Sequence, residues 1–334
     1  MTSIKDVARL AGVSIATVSR AVNNLDVVSD ETRRRIQWAV DRLGYSPNLA
    51  ARSLKRQSAK LLGLLVPDIE NPFYATLAKH MEREASTAGY SLILCNTDGR
   101  SETEDHYLKL LSGRLSDGIF LCRSAIRASS LTASGGKTIP LVFLEKQEDG
   151  DDRQSVMVDN TDVGVLAARH LAEIGHARLA CIMEDKRILP FARRVRGFID
   201  ETASHGIRVR PNSIIESGPR ISDGRSAMLR LLKKRADSRP TAVYCTNDLL
   251  AFGAMQAVFE TGLRIPEDIS LVGTDDVAQS SYMYPPLTTV RQPFADIARE
   301  ALRILIHKNV PAGGDVLLPP ELVVRRSTGP AAGT

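Results

Sequence analysis

Two polar pairs and one arginine in this chain of 334 residues have the chemistry needed to hold a small polar molecule. Asp275 and Asp276 follow the apolar run ISLVG, Asn247 and Asp248 follow the run AVYC, and Arg194 opens the string RVRGF. A carboxylate accepts two hydrogen bonds and a guanidinium donates two in a fork, so both groups suit adjacent hydroxyls on one ligand. These residue types therefore predict a binding site for a polyhydroxylated molecule.

Two of these acids have an alternative role within the fold. Asp248 stands just before a helical pattern that begins at Leu249, where a side-chain oxygen can cap the backbone N–H groups of a helix. We favour the capping role for Asp248. Asp276 has a similar alternative, in which its carboxylate satisfies nearby backbone groups.

Aromatic and basic side chains near other strand ends and helix starts extend the candidate site. The aromatic residues form an apolar or stacking wall, or else pack in the core: Phe73, Tyr74 and Phe191. The cations outnumber what a neutral hexose needs: Arg123, Arg187, Arg193, Arg194 and Lys146. We hypothesise a ligand that carries a carboxylate or a phosphate. The alternative is that these cations pair with acids across a cleft.

The N-terminal residues offer a different chemistry, contact with nucleic acid. A predicted helix from Ser14 to Val22 follows a turn at Gly12, and its outward face carries Ile15, Ala16, Thr17, Ser19 and Arg20. Arginine can pair with guanine through two hydrogen bonds, and small apolar side chains can touch the thymine methyl group. Two short helices in a basic stretch predict a DNA-binding helix-turn-helix. The alternative is a helical bundle whose positive charge is only solvated surface.

Helical signals account for most of the first 60 residues. Apolar residues at helical spacing predict three helices, and Ser3, Ser14 and Ser29 precede them as N-caps. Asp6 stands three residues after Ser3, as in a capping box. A short helix-compatible piece follows from Leu49 to Leu54, and the polar stretch KRQSAK after it is typical of a linker.

From residue 61 onward, short apolar runs alternate with longer amphipathic stretches. The first series is LLGLLV, SLILC, GIFLC, PLVFL and SVMV, and the second is RLACIM, SIIES, TAVYC, ISLVG, LTTV and LVV. This alternation predicts parallel sheets built from right-handed crossovers, in two similar lobes. Polar residues follow the runs at Asp68, Arg123, Glu145, Asp159, Asn247, Asp248, Asp275 and Asp276. Because ligands bind at the carboxyl ends of such strands, we expect a cleft between the lobes.

Composition and charge narrow the class of protein. The chain is 43% hydrophobic and 25% charged with a net charge of +5, and its first 60 residues hold eleven basic and five acidic residues. The positive charge is therefore local. No apolar run is long enough to span a membrane and no secretion signal is visible, so we expect a cytoplasmic protein. The four cysteines end apolar runs and are interpreted as reduced, packed thiols: Cys95, Cys122, Cys181 and Cys245.

Signals for catalysis, metal binding and cofactors are weak. Gly136, Lys137 and Thr138 end like a phosphate-binding loop, but Leu131 stands where the first glycine is required. No GxGxxG or GxSxG string occurs, and the six histidines have no zinc spacing. We therefore expect no enzyme, no metal and no cofactor.

The sequence resembles LacI/GalR-family transcriptional regulators along practically its whole length. The headpiece strings are IKDVARLAGVSIATVSRAVNN, ETRRRI, RLGYSPN and AARSLK. The later strings are LLGLLVPDIENPFYATL, GYSLILCNTD, SDGIFLCRS, RVRGF, TNDLLAFGA, ISLVGTDD and PPLTTVRQP, in family order. The resemblance implies a dimeric DNA-binding regulator whose core is similar to type I periplasmic sugar-binding proteins and is gated by a small effector.

The resemblance also implies roles for headpiece residues. Positions matching Ile15, Ala16 and Arg20 contact bases, and positions that mainly hold the phosphates match Ser14, Thr17, Asn23 and Tyr45. Long polar side chains often occupy the places held here by Ile15 and Ala16. This departure shifts the expected readout to methyl contacts plus Arg20.

A second implied DNA contact lies in the segment from Asn48 to Leu54, which is similar to the family's hinge helix. Leu54 matches a leucine wedge in the minor groove, and Ala51 and Lys55 match its flanks. Taken without the family, Leu54 is a linker leucine packed on the core.

The resemblance implies an organisation and an effector site. Residues 1–46 are the headpiece, 47–60 the hinge helix and linker, and 61–334 the effector-binding and dimerisation core. The N-lobe covers about 61–160 and 291–319, and the C-lobe about 161–290 and 320–330. Arg194, Asn247 and Asp275 match direct ligands of the effector, and the wider site adds Phe73, Tyr74, Arg123, Glu145 and Phe191.

We therefore predict a repressor of carbohydrate-metabolism genes that binds a palindromic operator as a dimer and responds to a sugar, sugar acid or sugar phosphate. The final string TGPAAGT has no apolar repeat, so no tetramer is expected. The effector either releases the protein from DNA as an inducer or strengthens DNA binding as a corepressor, and the sequence leaves both alternatives open. Three alternatives also remain: a regulator gated by a phosphoprotein, a solute-binding receptor, and an enzyme of the sugar hydrolase or kinase type.

Overall fold

The computed structural model describes residues 2–23, 28–45, 58–112, 115–122, 139–145, 154–235, 238–306 and 314–331. The chain divides into two compact units, Met1–Ala59 and Lys60–Thr334. None of the described helices is long and apolar enough to cross a membrane. The predicted hinge segment, with Ala51, Leu54 and Lys55, lies outside the described residues.

The first unit is a small helical domain. Its helices are α1 (Ile4–Ala11), α2 (Ile15–Asn23) and α3 (Asp30–Leu43). Their apolar faces meet in one core that buries Val7, Ala8, Ala11, Val18, Ala21, Ile36 and Ala39. Ser29 accepts a hydrogen bond from the Thr32 N–H and so caps α3, as predicted. At α1 the Asp6 carboxylate accepts both the N–H and the hydroxyl of Ser3, so the capping pair is present.

The second unit contains two six-stranded sheets flanked by helices. The strands of the first sheet lie in the order β11, β5, β4, β3, β1, β2 and are all parallel. Those strands are β1 (Leu61–Val66), β2 (Ser91–Asn96), β3 (Gly118–Leu121), β4 (Leu141–Phe143), β5 (Ser155–Val158) and β11 (Asp315–Leu318). Its helices are α4 (Pro72–Thr87), α5 (Ser101–Ser112) and α10 (Phe294–Ile306), and α10 packs on α4 through Phe294 and Phe73.

The second sheet has the order β12, β10, β9, β8, β6, β7, and only β12 runs antiparallel. Its strands are β6 (Leu179–Met183), β7 (Ile214–Glu216), β8 (Ala242–Cys245), β9 (Ser270–Asp275), β10 (Thr288–Arg291) and β12 (Glu321–Val323). Its helices are α6 (Asn160–Glu173), α7 (Leu189–Ser204), α8 (Ile221–Leu232) and α9 (Asp248–Glu260). The fold is the predicted helix-turn-helix domain followed by two parallel-rich α/β lobes.

Two elements were absent from the sequence pattern, α6 and β11. The apolar face of α6 consists of small residues, with Gly164, Ala167 and Ala168 buried beside Val163 and Leu171, which weakens the contrast between its faces. Strand β11 is only four residues long and is completed by pairing with β5, far away in the chain. The four cysteines are all buried and none forms a disulfide, as expected.

Glycines allow two helix pairs of the second lobe to touch backbone to backbone. A Cβ at Gly164 of α6 would lie 1.9 Å from the Arg194 carbonyl oxygen, and one at Gly197 of α7 would lie 2.1 Å from that of Thr161. The crossing of α8 and α9 repeats this arrangement through Gly224 and Gly253. The glycine of the RVRGF string therefore brings α7 close to α6.

Candidate functional site

Helix α2 of the first unit presents the face that was expected to contact DNA. Val18 and Ala21 are buried in the three-helix core, whereas Ile15, Ala16 and Arg20 are exposed. Because buried and exposed positions alternate at helical spacing, the exposed side chains lie on one outward face. This face carries one guanidinium and two small or branched apolar side chains, the groups that can read guanine and thymine in a major groove.

The turn before α2 is held by named hydrogen bonds. Gly12 adopts a left-handed conformation with φ of 62°, and Arg35 of α3 donates to the Ala11 carbonyl oxygen at 2.7 Å. The Ser14 hydroxyl accepts the N–H of Thr17 at 3.0 Å and bonds to its hydroxyl at 2.8 Å. Tyr45 packs against the three-helix core after α3. The side chain of Asn23 is not described.

The second unit contains the expected cleft at the carboxyl ends of its strands. Its lining residues come from both sheets and their helices: Asn71, Phe73, Tyr74, Glu145, Glu184, Phe191, Arg194, Asn247, Asp275 and Gln292. The cavity left among them is only about 10 Å³, about the space of one water molecule, so the lining side chains lie close together in this structure.

Arg194 and Asp275 form the charged centre of the cleft. The Arg194 guanidinium donates to the Asn160 amide oxygen at 2.8 Å and to the Thr246 carbonyl oxygen at 2.6 Å. Its Nη1 lies 3.7 Å from Oδ1 of Asp275, and both side chains are almost fully buried. These bonds hold the guanidinium rigidly beside the carboxylate, so both groups are preorganised for a polar ligand.

Burial dominates the electrostatics of Asp275. It raises the pKa of this carboxyl well above the usual range, while Arg194 and a 2.7 Å hydrogen bond from Gln292 act in the opposite direction. The charged form therefore depends on these two neighbours. A ligand hydroxyl that donates to Asp275 would stabilise that form further.

A second polar pair joins two strands of the second sheet. The Asn247 amide donates to the Glu184 carboxylate at 3.0 Å, and its oxygen accepts the N–H of Leu250 at 2.8 Å. Asn247 and Glu184 are both buried and both line the cleft. Asn247 thus serves the start of α9 and the cleft at once.

Aromatic side chains form the apolar part of the lining. Phe73 and Tyr74 meet edge to face at 4.9 Å, and the Tyr74 hydroxyl donates to Glu145 at 3.1 Å. The Arg194 guanidinium lies 5.4 Å from the centre of the Phe191 ring. All three aromatic residues are buried, so they line the cleft and belong to the core at the same time.

Comparison with known proteins identifies the chain. Residues 3–48 match the model of bacterial regulatory proteins of the lacI family, and residues 59–316 match that of periplasmic binding proteins and the sugar binding domain of the LacI family. The chain belongs to the LacI family. It is a DNA-binding transcriptional repressor with a sugar-binding domain, and not an enzyme.

Curated relatives and a solved structure agree with this assignment. The HTH-type transcriptional repressor PurR of Aliivibrio fischeri strain MJ11 is 35% identical over 92% of both chains. The HTH-type transcriptional regulator DegA of Bacillus subtilis strain 168 is 34% identical over 98% of both. A Lac repressor dimer bound to operator and the anti-inducer ONPF superposes with a TM-score of 0.85 at 28% identity, over 98% of this chain and 99% of that one.

The capping role predicted for Asp248 is wrong in this LacI-family chain. Asn247 caps α9, whereas the Asp248 carboxylate accepts hydrogen bonds from the Val277 N–H and from the hydroxyls of Ser280 and Thr289. Asp248 is already the first residue of the helix, and its side chain bonds to the segment after β9 and to β10.

The role suggested for Asp276 also differs. Its carboxylate binds two guanidinium groups, Arg291 at 2.7 Å and Arg325 at 2.5 Å, and no backbone group of the described residues. These two ion pairs join the end of β9 to β10 and to the tail after β12. Asp276 therefore does not face the cleft as a free acceptor.

The excess of cations seen in the sequence is not found in the described lining. Arg187 is 83% exposed and pairs with Asp185, and Arg193 is not a lining residue. Arg123 and Lys146 lie outside the described residues. Among the lining residues that the structure describes, Arg194 is the only cation, and three residues carry carboxyl groups: Glu145, Glu184 and Asp275.

Two further expected acids serve their own loops. Asp159 accepts the N–H groups of Thr161 and Asp162 and caps α6, and Asp68 accepts the N–H of Glu70.

Sequence reasoning missed Asn71, Glu184 and Gln292 in the lining, and Asn160 behind Arg194. Glu184 directly follows the RLACIM run, so the strand-end rule could have found it. Gln292 directly follows β10, the strand of the LTTV run, so the same rule could have found it.

Proposed function

We propose that the chain is a homodimeric repressor that binds a palindromic operator, acts in the cytoplasm, and is controlled by a small neutral sugar in the cleft. The observation that carries the effector class is the balance of charge in the described lining, which contains three carboxyl groups and one guanidinium. Two of the guanidinium nitrogens already donate to Asn160 and Thr246. A buried anion would be repelled by the carboxylates, whereas sugar hydroxyls would donate to them.

The experiment for the effector class is a thermal-shift screen of the full chain with neutral sugars, sugar acids, sugar phosphates and purine bases. A ligand at 100 times its dissociation constant adds about 2.7 kcal/mol to the free energy of unfolding. We expect a shift with a neutral sugar and none with its acid or phosphate. A rise in the unfolding temperature with an anionic ligand alone would contradict the proposal. A rise with a purine base alone would show that the effector is a base and not a sugar. The purine bases are included because PurR proteins are among the relatives.

The DNA contacts are proposed for the exposed face of α2 and its neighbours. Arg20 is proposed to read guanine, Ile15 and Ala16 to touch thymine methyl groups, and Ser14, Thr17, Asn23 and Tyr45 to hold phosphates. For the hinge segment, Ala51, Leu54 and Lys55 are proposed to enter the minor groove at a central base step. The support for α2 is its outward face and its fixed turn.

Arg20→Ala is expected to cost about 1–3 kcal/mol on the operator and to relax base preference at one position in each half-site. Tyr45→Phe, which keeps the packing and loses the hydroxyl, is expected to weaken operator and random DNA equally. Fluorescence anisotropy over a set of single-base operator variants measures both. Arg42→Ala is the matched control, since it removes the same charge from an exposed position on α3. Equal losses on all sequences with Arg20→Ala would remove this residue from base readout.

The dimer is proposed to use an exposed aromatic loop after β9. Tyr282 and Tyr284 are 87% and 88% exposed, which is unusual for tyrosines outside an interface. The double variant Tyr282→Ser, Tyr284→Ser is expected to dissociate at least about tenfold more readily, since two aromatic anchors are lost. Sedimentation velocity of the full chain over a concentration series checks this. Val324→Ser, also at an exposed apolar side chain, is the control, and an unchanged dimer in the double variant would place the interface elsewhere.

A further inference from the structure

The turn that carries Asp275 has an unfavourable backbone. Asp275 has φ of 114° and Asp276 has φ of 54°, and neither residue is a glycine. Two consecutive residues in this region are strained, and such strain persists only where surrounding contacts impose it. The strained turn sits at the end of β9, where Asp275 enters the cleft. Some group must therefore hold the turn in place.

The Asp248 carboxylate contributes to that hold, beside Arg291 and Arg325 on Asp276 and Gln292 on Asp275. It is 1% exposed and accepts three hydrogen bonds, from the Val277 N–H at 3.0 Å and from the hydroxyls of Ser280 and Thr289 at 2.6 Å each. The Thr289 hydroxyl in turn accepts the N–H of Asp276 at 3.3 Å. One buried carboxylate thus fixes the residue after the turn directly and the turn itself through Thr289.

The string GTDD makes room for this carboxylate. A Cβ on Gly273 would lie 2.3 Å from Oδ1 of Asp248, so any side chain there would displace the acid. Burial raises the pKa of Asp248, and the three donated hydrogen bonds act against that rise. The surroundings of Asp248 therefore suit a side chain that accepts several hydrogen bonds, and they do not suit an apolar side chain.

The same carboxylate also reaches the exposed aromatic loop. Ser280 belongs to the short helix Ala278–Ser281, and its carbonyl oxygen accepts the N–H of Leu287 at 2.8 Å. Tyr282 and Tyr284 lie between these two hydrogen-bonded residues. A shift of Ser280 relative to Asp248 would therefore move the base of the loop.

We propose that Asp248 is a positioning residue that holds the Asp275 turn of the cleft and the base of the Tyr282–Tyr284 loop in one arrangement. It touches neither ligand nor partner in this role. A ligand in the cleft that moves the Asp275 turn would therefore also move the loop, because both segments are bonded to this one side chain. The functional meaning of this link depends on the proposed effector site and dimer, whereas the link itself does not.

Hydrogen exchange of the full chain, followed by mass spectrometry, tests the link without any ligand. Asp248→Leu keeps the branched shape but replaces both acceptor oxygens by larger methyl groups, and Asp248→Asn is the rescue variant. The amide oxygen can still accept from Val277 and Ser280, and the amide N–H can donate to the Thr289 hydroxyl. Thr289→Val and Thr289→Ser form a second pair that loses or keeps one hydroxyl. Thr202→Val removes a buried hydroxyl bond within α7 and serves as the matched control.

In Asp248→Leu we expect exchange at least about tenfold faster in peptides covering residues 275–287, with the rest of the lobe unchanged. Thr289→Val shows a smaller increase at the same peptides. Asp248→Asn, Thr289→Ser and Thr202→Val keep the exchange of the wild type there. Equal exchange rates in Asp248→Leu and the wild type would overturn the proposal. An equal increase of the exchange rate in Asp248→Asn and Asp248→Leu would also overturn it.

Sedimentation velocity of the same variants separates this proposal from the proposed dimer. Loosening of the loop in Asp248→Leu is expected to weaken the dimer in parallel with the exchange. If the wild-type protein sediments as a monomer, the proposed dimer is refuted. The hydrogen-exchange result then still tests the role of Asp248. A dimer of unchanged affinity beside fast exchange in Asp248→Leu would refute the coupling to the loop and restrict Asp248 to the turn.

Discussion

Arg194→Ala is expected to lower the free energy of unfolding of the second unit by about 3–5 kcal/mol and to abolish binding in the cleft. The guanidinium is almost fully buried and supplies the donors for Asn160 and the Thr246 carbonyl oxygen. Its removal leaves both acceptors without that donor, and it leaves a cavity and no positive charge beside Asp275. Since Arg194 lowers the pKa of Asp275, the variant also raises that pKa further and favours the protonated acid.

Urea unfolding and calorimetry with the ligand from the thermal-shift screen measure the two effects. Arg196→Ala is the matched control, because Arg196 lies on the same helix, is 76% exposed and pairs with Asp200. An exposed pair of this kind contributes at most about 1 kcal/mol. Arg194→Lys is expected to fall between alanine and the wild type, since a lysine cannot reproduce the planar fork. Wild-type ligand affinity in Arg194→Ala would move the ligand out of this cleft.

Asp275→Ala makes the comparison that separates neutral from anionic ligands. For a neutral sugar, the loss of Asp275 and the loss of Arg194 both weaken the ligand, because each removes hydrogen bonds. For an anionic ligand, the loss of Arg194 is far more damaging, because a buried negative charge loses its partner. Operator binding is measured in both variants as an internal check that the first unit is unaffected.

Gly197→Ala has the second largest expected effect, a loss of about 3 kcal/mol in the free energy of unfolding, the upper end of the usual range for overpacking. The new methyl group would lie 2.1 Å from the Thr161 carbonyl oxygen, and a backbone group cannot rotate away. The helices α6 and α7 must separate. The intrinsic preference of alanine for helices offsets only about 1 kcal/mol of this cost.

The same change should weaken the ligand even where the variant is still folded. The hydrogen bond between Asn160 and Arg194 joins α6 to α7 close to this crossing, so separation of the helices lengthens it. Thermal unfolding followed by circular dichroism and calorimetry at low temperature measure the two consequences. Ser204→Ala at an exposed position on α7 is the control and should change stability by no more than about 0.5 kcal/mol. A fully stable Gly197→Ala would show that the two backbones are not in enforced contact.

The architecture of both units could be read from local patterns. Capping serines such as Ser29, the turn glycine Gly12 and the helical spacing of Val18 and Ala21 are signals confined to a few residues. Apolar runs marked eleven of the twelve strands that the structure describes. Eight of these lie inside a sheet, where a strand buried on both faces must be apolar throughout. The strand-end rule also brought Asn247 and Asp275 into one predicted cleft, since parallel strands end on the same side of a sheet. Arg194 was added from its place at the start of the RVRGF string and from the family resemblance.

What the tertiary structure decided is which polar groups meet. Glu184 binds Asn247 across 63 residues of sequence, and Tyr74 binds Glu145 across 71. No local signal encodes such contacts, because they depend on the order of strands in each sheet. The role of Asp248 was missed for the same reason: the sequence places it at a helix start, whereas the fold surrounds it with donors from Val277, Ser280 and Thr289. Sequence determined which elements form and which of their ends carry polar groups. The packing of those elements determined which groups are paired, which are buried, and hence which remain to meet a ligand.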